Sequence, residues 1–112
     1  TTIFSNVYQG SDRTQYLYKR AANILAADLP SAWKNVPLVH IGPIADEVDF
    51  ALIKAFSPET IIAATPQGWI RQWDEETRVV RPKILNWNKL LGIDILILSE
   101  EDIYGYEIIF RR

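Results

Sequence analysis

Three short apolar runs, the last two of them followed at once by polar residues, constrain the fold of this chain more than any other feature. They cover residues 36–41, 60–64 and 94–98 and consist mainly of Val, Ile, Leu and Ala. Continuous apolar strands of this length are typical of parallel sheets that are covered on both faces. In an open α/β sheet, ligands bind outside the carboxyl ends of the strands. The sequence therefore predicts a parallel α/β sheet with a binding crevice where the polar clusters follow the strands.

Helical segments are predicted between these strands. Residues 46–56 carry apolar side chains near helical spacing behind an acidic first turn, which predicts an amphipathic helix. Residues 86–91 predict a second helix that ends at Gly92, a common C-terminal stop. Residues 21–27 are rich in alanine and permit a helix, and residues 29–33 predict a short helical turn.

The start of the chain does not follow this alternation of strands and helical segments. Residues 2–8 and 13–18 predict two strands joined by a short connection that contains Gly10, which is the signature of a β-hairpin. A further short strand is predicted at Val79 and Val80. The hairpin is expected to form an accessory sheet.

Composition excludes several classes of function. The chain has 112 residues, 48% of them hydrophobic, which fits one globular domain. Its net charge of −2 gives no reason to expect nucleic acid as a partner. No apolar run approaches the roughly 20 residues of a membrane helix, so no membrane association is predicted. The absence of cysteine excludes disulfides and thiolate metal sites, and we expect a cytoplasmic protein.

Residues 65–74, with the sequence TPQGWIRQWD, form the more unusual of two polar strings. They follow an apolar run and place Arg71 between Trp69 and Trp73. Two interpretations stay open here. Arg71 either stacks on these aromatic rings as a structural anchor, or it lines the crevice together with Gln67, since its planar fork suits phosphate and carboxylate.

Residues 99–102, with the sequence SEED, form the second string and follow the last apolar run. One interpretation is a helix start, with Ser99 as the N-cap before acidic first-turn residues. The other is a carboxylate, Asp102, that orders metal-bound water near phosphates at the carboxyl end of a strand. His40, the only histidine, is interpreted as a packed or hydrogen-bonded core residue.

The order of these strings resembles the ribokinase-like (PfkB) family of carbohydrate kinases. Residues 42–47 match its G-P-x-x-x-E turn, and residues 99–102 stand where the family has N-x-x-E, with Ser99 for the asparagine and Asp102 for the glutamate. Many members have a D-x-N-x-R string here. Thr65 stands in place of its aspartate and Gln67 in place of its asparagine, and Arg71 lies two positions later than its arginine. The sequence of residues 65–74 is similar to that of the myo-inositol kinase-like branch of this family.

This resemblance implies a ribokinase-like three-layer sandwich with a mostly parallel sheet and a hairpin from the lid sheet. It implies phosphoryl transfer from ATP, with Mg²⁺, to a hydroxyl of a sugar or polyol. The implied residues on the nucleotide and Mg²⁺-phosphate side are Ser99, Asp102, Gln67 and Arg71, with Asp102 contacting the metal through water. The implied residues on the substrate side are Asn6, Tyr8, Arg13, Gln15 and Gly42, although a solvated sheet face is the default interpretation of the hairpin residues.

The family's G-A-G-D signature, which carries the general base, does not occur in this sequence. The chain also contains no methionine, and both ends have strand-like patterns. We therefore expect one partial domain over residues 1–112, with a lid hairpin at 1–18 and the central sheet at 36–112, inactive by itself. A non-catalytic binding domain and a nucleoside kinase remain alternatives, and a homodimer stays open as an assembly.

Overall fold

The computed structural model of the protein describes residues 1–98. Within this range, seven strands form three small sheets, joined by short helical turns. The strands are β1 (Ile3–Gln9), β2 (Asp12–Lys19), β3 (Leu38–Ile41), β4 (Ile61–Ala64), β5 (Arg71–Trp73), β6 (Val80–Pro82) and β7 (Ile95–Leu96). The turns are 3₁₀ helices over Ala26–Asp28, Ser31–Trp33, Phe50–Ala55, Pro66–Ile70 and Trp87–Leu90.

The three apolar runs form one parallel sheet. Its strand order is β3-β4-β7, with Leu38 opposite Ile61 and Ala64 opposite Leu96. The prediction of a mixed α/β fold with a parallel sheet is thus confirmed in its coarse form. The three-layer ribokinase-like sandwich stays a prediction.

One face of this sheet carries the core. Alternate strand residues, including Ile41, Ile62 and Ala64, pack against side chains from the turns that follow each strand. Trp69 lies at the centre, with no exposed surface, and its indole Nε1 donates a hydrogen bond of 2.9 Å to the Val48 carbonyl. The buried members of this cluster are Ile41, Val48, Leu52, Ile53, Phe56, Ile62, Ala64, Trp69, Ile70, Leu85 and Leu90.

The predicted helix at residues 46–56 is wrong in its first half. Asp46 has a φ of 55°, which a right-handed helix does not contain. The Asp49 amide donates to the Ile24 carbonyl, which fixes the chain just before the turn in an extended bridge to residue 24. Only Phe50–Ala55 is helical, as a 3₁₀ helix that Asp49 caps through its side chain. Tertiary hydrogen bonds therefore outweigh the apolar periodicity.

Two other helical predictions shorten in the same way. Residues 21–27 are mainly extended because Ile24 pairs with Val48, and only Ala26–Asp28 turns. Residues 86–91 form a 3₁₀ turn over Trp87–Leu90, and Gly92 ends it with a φ of 100°. That left-handed conformation suits glycine, so the predicted stop is confirmed.

The hairpin is formed as predicted, and a loop fastens it to the rest of the chain. β1 and β2 pair antiparallel around Gly10, whose φ is 64°. Leu17 of β2 and Arg78 are joined by two 2.8 Å hydrogen bonds, from the Leu17 amide to the Arg78 carbonyl and from Arg78 Nε to the Leu17 carbonyl. Arg78 belongs to the loop between β5 and β6, which pair antiparallel. The hairpin thus joins the β5–β6 ribbon.

Asp74 organises this loop. Its Oδ1 accepts hydrogen bonds from the amides of Glu76 and Thr77, at 2.8 and 3.3 Å. These amide bonds, with a smaller contribution from the charge of Arg81, lower the pKa of the Asp74 carboxyl below its ordinary value. The ionised carboxylate therefore favours the folded loop.

Candidate functional site

Two loops meet at the carboxyl edge of β3 and β4, where the sequence predicts a crevice. We call residues 42–49, which follow β3, the first loop, and residues 65–70, which follow β4, the second loop. Two hydrogen bonds join the loops, from the Gly68 amide to the Pro43 carbonyl and from the Trp69 indole Nε1 to the Val48 carbonyl, each 2.9 Å. The two loops are therefore in direct contact.

Glu47 holds the first loop from inside. The residue is 7% exposed, and its carboxylate accepts hydrogen bonds from the amides of Ile44, 2.6 Å to Oε1, and Ala45, 3.1 Å to Oε2. Two charge-assisted bonds to backbone amides replace the water that the buried carboxylate loses. The glutamate of the G-P-x-x-x-E string is thus a positioning residue of this loop.

Gly68 allows the second loop to approach the first. A Cβ atom at this position would lie 2.3 Å from the Pro43 carbonyl carbon and 2.4 Å from the Ile44 nitrogen. Both contacts are with backbone atoms, so a side chain could enter only if the loops separated. The neighbouring Gln67 is half-buried, within the turn Pro66–Ile70.

Arg71 connects the loops to the hairpin. Its Nη1 donates a 2.9 Å hydrogen bond to the Ile44 carbonyl of the first loop. Its guanidinium carbon lies 5.1 Å from the ring centroid of Phe4 in β1. The ring that lies beneath the guanidinium thus belongs to Phe4, which the sequence did not predict. Trp69, one of the two tryptophans on which Arg71 was predicted to stack, lies in the core.

Arg20 is the residue at this site that the sequence analysis missed. Its guanidinium donates from Nε to the Ala45 carbonyl, 2.6 Å, and from Nη2 to the Asp46 carbonyl, 2.7 Å. It also lies 5.6 Å from the ring centroid of Trp73. In the sequence, Arg20 is simply an arginine that follows a predicted strand. This pattern is too common to indicate which groups the side chain contacts.

A second missed cation, Lys83, contacts the same loop. Its Nζ is 3.2 Å from Asp46 Oδ2, in a half-exposed ion pair. The first loop is therefore bonded to the buried carboxylate of Glu47 and to two cations, Arg20 and Lys83.

The predicted substrate-side residues of the hairpin share one face. Asn6 lies opposite Gln15 and Tyr8 lies opposite Arg13, in the register that also places Phe4 opposite Leu17. Cross-strand partners project on the same side of a sheet. The four polar side chains therefore continue the face that carries Phe4, on which Arg71 lies. Asn6, Tyr8 and Arg13 are exposed and Gln15 is half-buried.

His40 and Gly42 lie at the end of β3. His40 Nε2 is 2.8 Å from the Thr65 hydroxyl, so the predicted hydrogen bonding is present, but the side chain is exposed rather than part of the core. Gly42 is exposed, and no heavy atom lies within 4 Å of a Cβ built there. The space beside Gly42 is open, as close approach of a ligand requires.

Ser99 and Asp102, predicted for the phosphate and Mg²⁺ side, lie outside the described residues. Within residues 1–98, no three His, Asp or Glu side chains converge to hold a metal ion. The described part of the site therefore offers hydrogen-bonding groups rather than a metal centre. In the same range, no helix has the length and apolar character needed to cross a membrane.

Comparison with protein-family models and with curated proteins finds no match for this chain. The site is therefore interpreted from its own geometry.

Proposed function

We propose that this chain is part of a cytoplasmic ATP-dependent kinase of the ribokinase-like type, which phosphorylates a hydroxyl of a sugar or polyol. The observation that carries the proposal is the position of Arg71. It contacts the Ile44 carbonyl of the first loop and the Phe4 ring of the hairpin, so the carboxyl-edge loops and the hairpin meet at one side chain. Ligands of α/β sheets bind at such a carboxyl edge.

The chemistry of the side chains fits a neutral, hydroxyl-rich substrate. Gln67, Asn6 and Gln15 carry amides that both donate and accept hydrogen bonds, as hydroxyl groups do. A site built from such groups discriminates strongly against analogues that lack the hydroxyls, because its polar groups would be left unpaired. In this proposal ATP supplies the phosphoryl group, and residues 99–102 provide the side of the site that faces phosphate and Mg²⁺.

Binding to the chain can be tested without turnover. We would titrate the 112-residue chain with myo-inositol, ribose and adenosine and follow its backbone amides by NMR. Saturable shifts with the polyol or sugar are expected at Gln67, Arg71 and the Asn6–Gln15 pair, and cyclohexanol serves as the ligand with one hydroxyl. Shifts of these amides with adenosine alone would favour the nucleoside kinase. Shifts confined to other regions would contradict the proposed site.

A pair of glutamine variants provides the matched control. Gln67→Leu should weaken polyol binding at least threefold, because it removes an amide from the second loop. Gln72→Leu changes an exposed glutamine five positions later, whose side chain donates to the Pro82 carbonyl. Equal binding by both variants would remove Gln67 from the site.

Turnover separates the kinase from the non-catalytic alternative. The chain alone should not phosphorylate any polyol, because the general base of the G-A-G-D signature is not in this sequence. A polypeptide in which this chain is joined to a G-A-G-D segment should show ATP-dependent phosphorylation. Polyol binding without turnover in that polypeptide would identify a binding domain, and turnover by the 112 residues alone would overturn the assigned correspondence with the family.

A further inference from the structure

The first loop contains a residue in an unfavourable backbone conformation. Asp46 has a φ of 55°, in the left-handed region that residues other than glycine rarely adopt. Within residues 1–98, Arg78 is the only other non-glycine residue with a positive φ. Such a conformation persists only where the surrounding contacts determine it, and residues of this kind concentrate at functional sites. The contacts around Asp46 therefore show what holds the first loop in place.

Arg20 makes the contacts to the backbone of this turn. Its Nε and Nη2 donate to the carbonyls of Ala45 and Asp46, at 2.6 and 2.7 Å. Successive carbonyls of an extended chain point in opposite directions, so a single planar guanidinium that bonds both of them fits a turn. The guanidinium is itself held, because Nη2 also donates to Asn23 Oδ1 and the Trp73 ring centroid lies 5.6 Å from its carbon.

The other charged groups act on side chains or on the residues before the turn. Lys83 contacts only the Asp46 carboxylate, in a half-exposed ion pair of the kind that contributes little. Glu47 bonds the amides of Ile44 and Ala45, which its side chain reaches only because the chain turns back at Asp46. Protection of these two amides therefore reports whether the turn is intact.

We propose that Arg20 is a positioning residue of the candidate site, which holds Asp46 in its left-handed conformation and so sets the position of the first loop relative to the hairpin. Arg20 directly follows β2, the strand that carries Gln15. The first loop begins at Gly42, beside which the space is open. A substrate that contacts Gln15 and enters the space beside Gly42 would meet them at a separation that Arg20 fixes. This effect on the substrate rests on the proposed function, whereas the role of Arg20 in the turn does not.

The test compares Arg20→Lys in two backgrounds of the complete chain, with hydrogen exchange at the Ile44 and Ala45 amides as the readout. Lysine keeps the charge but has no planar fork to bond two carbonyls, so exchange at both amides should become at least tenfold faster. Glycine adopts positive φ about as readily as negative φ. In an Asp46→Gly background the same change should therefore accelerate exchange less than threefold.

Three controls separate this effect from a loss of charge or of overall stability. The Asp46→Gly change also removes the ion pair with Lys83, so the tenfold effect of Arg20→Lys should persist in a Lys83→Gln background. Arg81→Lys makes the same substitution at an exposed arginine and should leave exchange in the first loop unchanged. The Ile61 amide, which is bonded beside β3, reports overall stability, and each factor is taken relative to it.

Several results would overturn the positioning role. These are unchanged exchange at Ile44 in Arg20→Lys, an equal acceleration at Ile61, and the same factor in both backgrounds of residue 46. An Arg20→Lys chain that folds only together with Asp46→Gly would support the role, whereas one that is unfolded in both backgrounds would overturn it.

A titration with myo-inositol separates this inference from the proposed function. Where the native chain binds the polyol, Arg20→Lys should weaken binding at least threefold, and most of that loss should disappear in the Asp46→Gly background. Equal affinity of Arg20→Lys and the native chain would overturn the effect of Arg20 on the substrate. A native chain that does not bind the polyol would contradict the proposed function alone, because the exchange measurements need no ligand.

Discussion

The close approach of the two carboxyl-edge loops makes Gly68→Ala the sharpest perturbation of this structure. The added Cβ would meet the carbonyl carbon and oxygen of Pro43 at 2.3 and 2.6 Å and the nitrogen of Ile44 at 2.4 Å. Backbone atoms cannot rotate away as a side chain can. Gly68 is not among the residues with positive φ, so the expected effect arises from the contact and not from its conformation.

The magnitude follows from two contributions. Overpacking a well-packed site costs about 1–3 kcal/mol. Separating the loops also weakens the hydrogen bond from the Gly68 amide to the Pro43 carbonyl, which contributes about 0.5–1.5 kcal/mol. We therefore expect a loss of about 2–4 kcal/mol in the free energy of unfolding. For a domain of this size, that corresponds to a fall in Tm on the order of 10–30 °C.

Gly42→Ala is the matched control. It is the same substitution in the adjoining loop, where a Cβ meets no heavy atom within 4 Å. Urea unfolding, followed by tryptophan fluorescence, should show a change below about 1 kcal/mol for Gly42→Ala. Equal stability of the two variants would refute the reasoning, because it would show that the loops do not meet at Gly68.

Three further predictions concern the charges around the site. Glu47→Gln should reduce the free energy of unfolding by about 1.5–3 kcal/mol in urea denaturation, because the amide cannot accept both backbone bonds; unchanged stability would exclude the capping role. A double-mutant cycle of Arg71→Ala and Phe4→Leu should give a coupling energy of about 0.5–1 kcal/mol, and zero coupling would contradict the stacking. Asp74 has a lowered folded-state pKa, so the stability that it contributes is present above its unfolded pKa of about 3.9 and is lost as the pH falls through the lower folded value. Asp74→Asn should therefore be less stable than the native chain at neutral pH, and this difference should shrink at acid pH; a difference that does not change with pH would contradict this linkage.

Local sequence patterns predicted the strands well. The run before Thr65 is continuously apolar, and its residues enter a parallel sheet in which the consecutive residues Ile62, Ala63 and Ala64 are all buried. Gly10 and Gly92 both adopt positive φ, at the hairpin turn and at the helical stop. Such features depend on a few neighbouring residues, so they can be read without knowledge of the tertiary structure.

Helix lengths and the partners of charged side chains could not be predicted in this way. The apolar periodicity of residues 46–56 carries no information about Asp49, whose amide is bonded to a residue 25 positions earlier. Arg71 has two tryptophans within two positions, yet its guanidinium lies on Phe4, which is distant in the sequence. Tertiary contacts determine both the length of this helix and the partner of Arg71. A single sequence does not show which distant residues will be in contact.

The two parts of the candidate site, the carboxyl-edge loops and the hairpin, are connected by long-range contacts. An isolated two-stranded hairpin is marginally stable in water. Contacts that hold the hairpin carrying Asn6 and Gln15 include those of Arg71 with Phe4 and of Arg78 with Leu17. Arg71 also donates to the Ile44 carbonyl, and Arg20, directly after β2, donates to the Ala45 carbonyl, so a change in the first loop can reach the hairpin through both arginines. Ligand binding across both halves would consequently stabilise the hairpin as well as the loops.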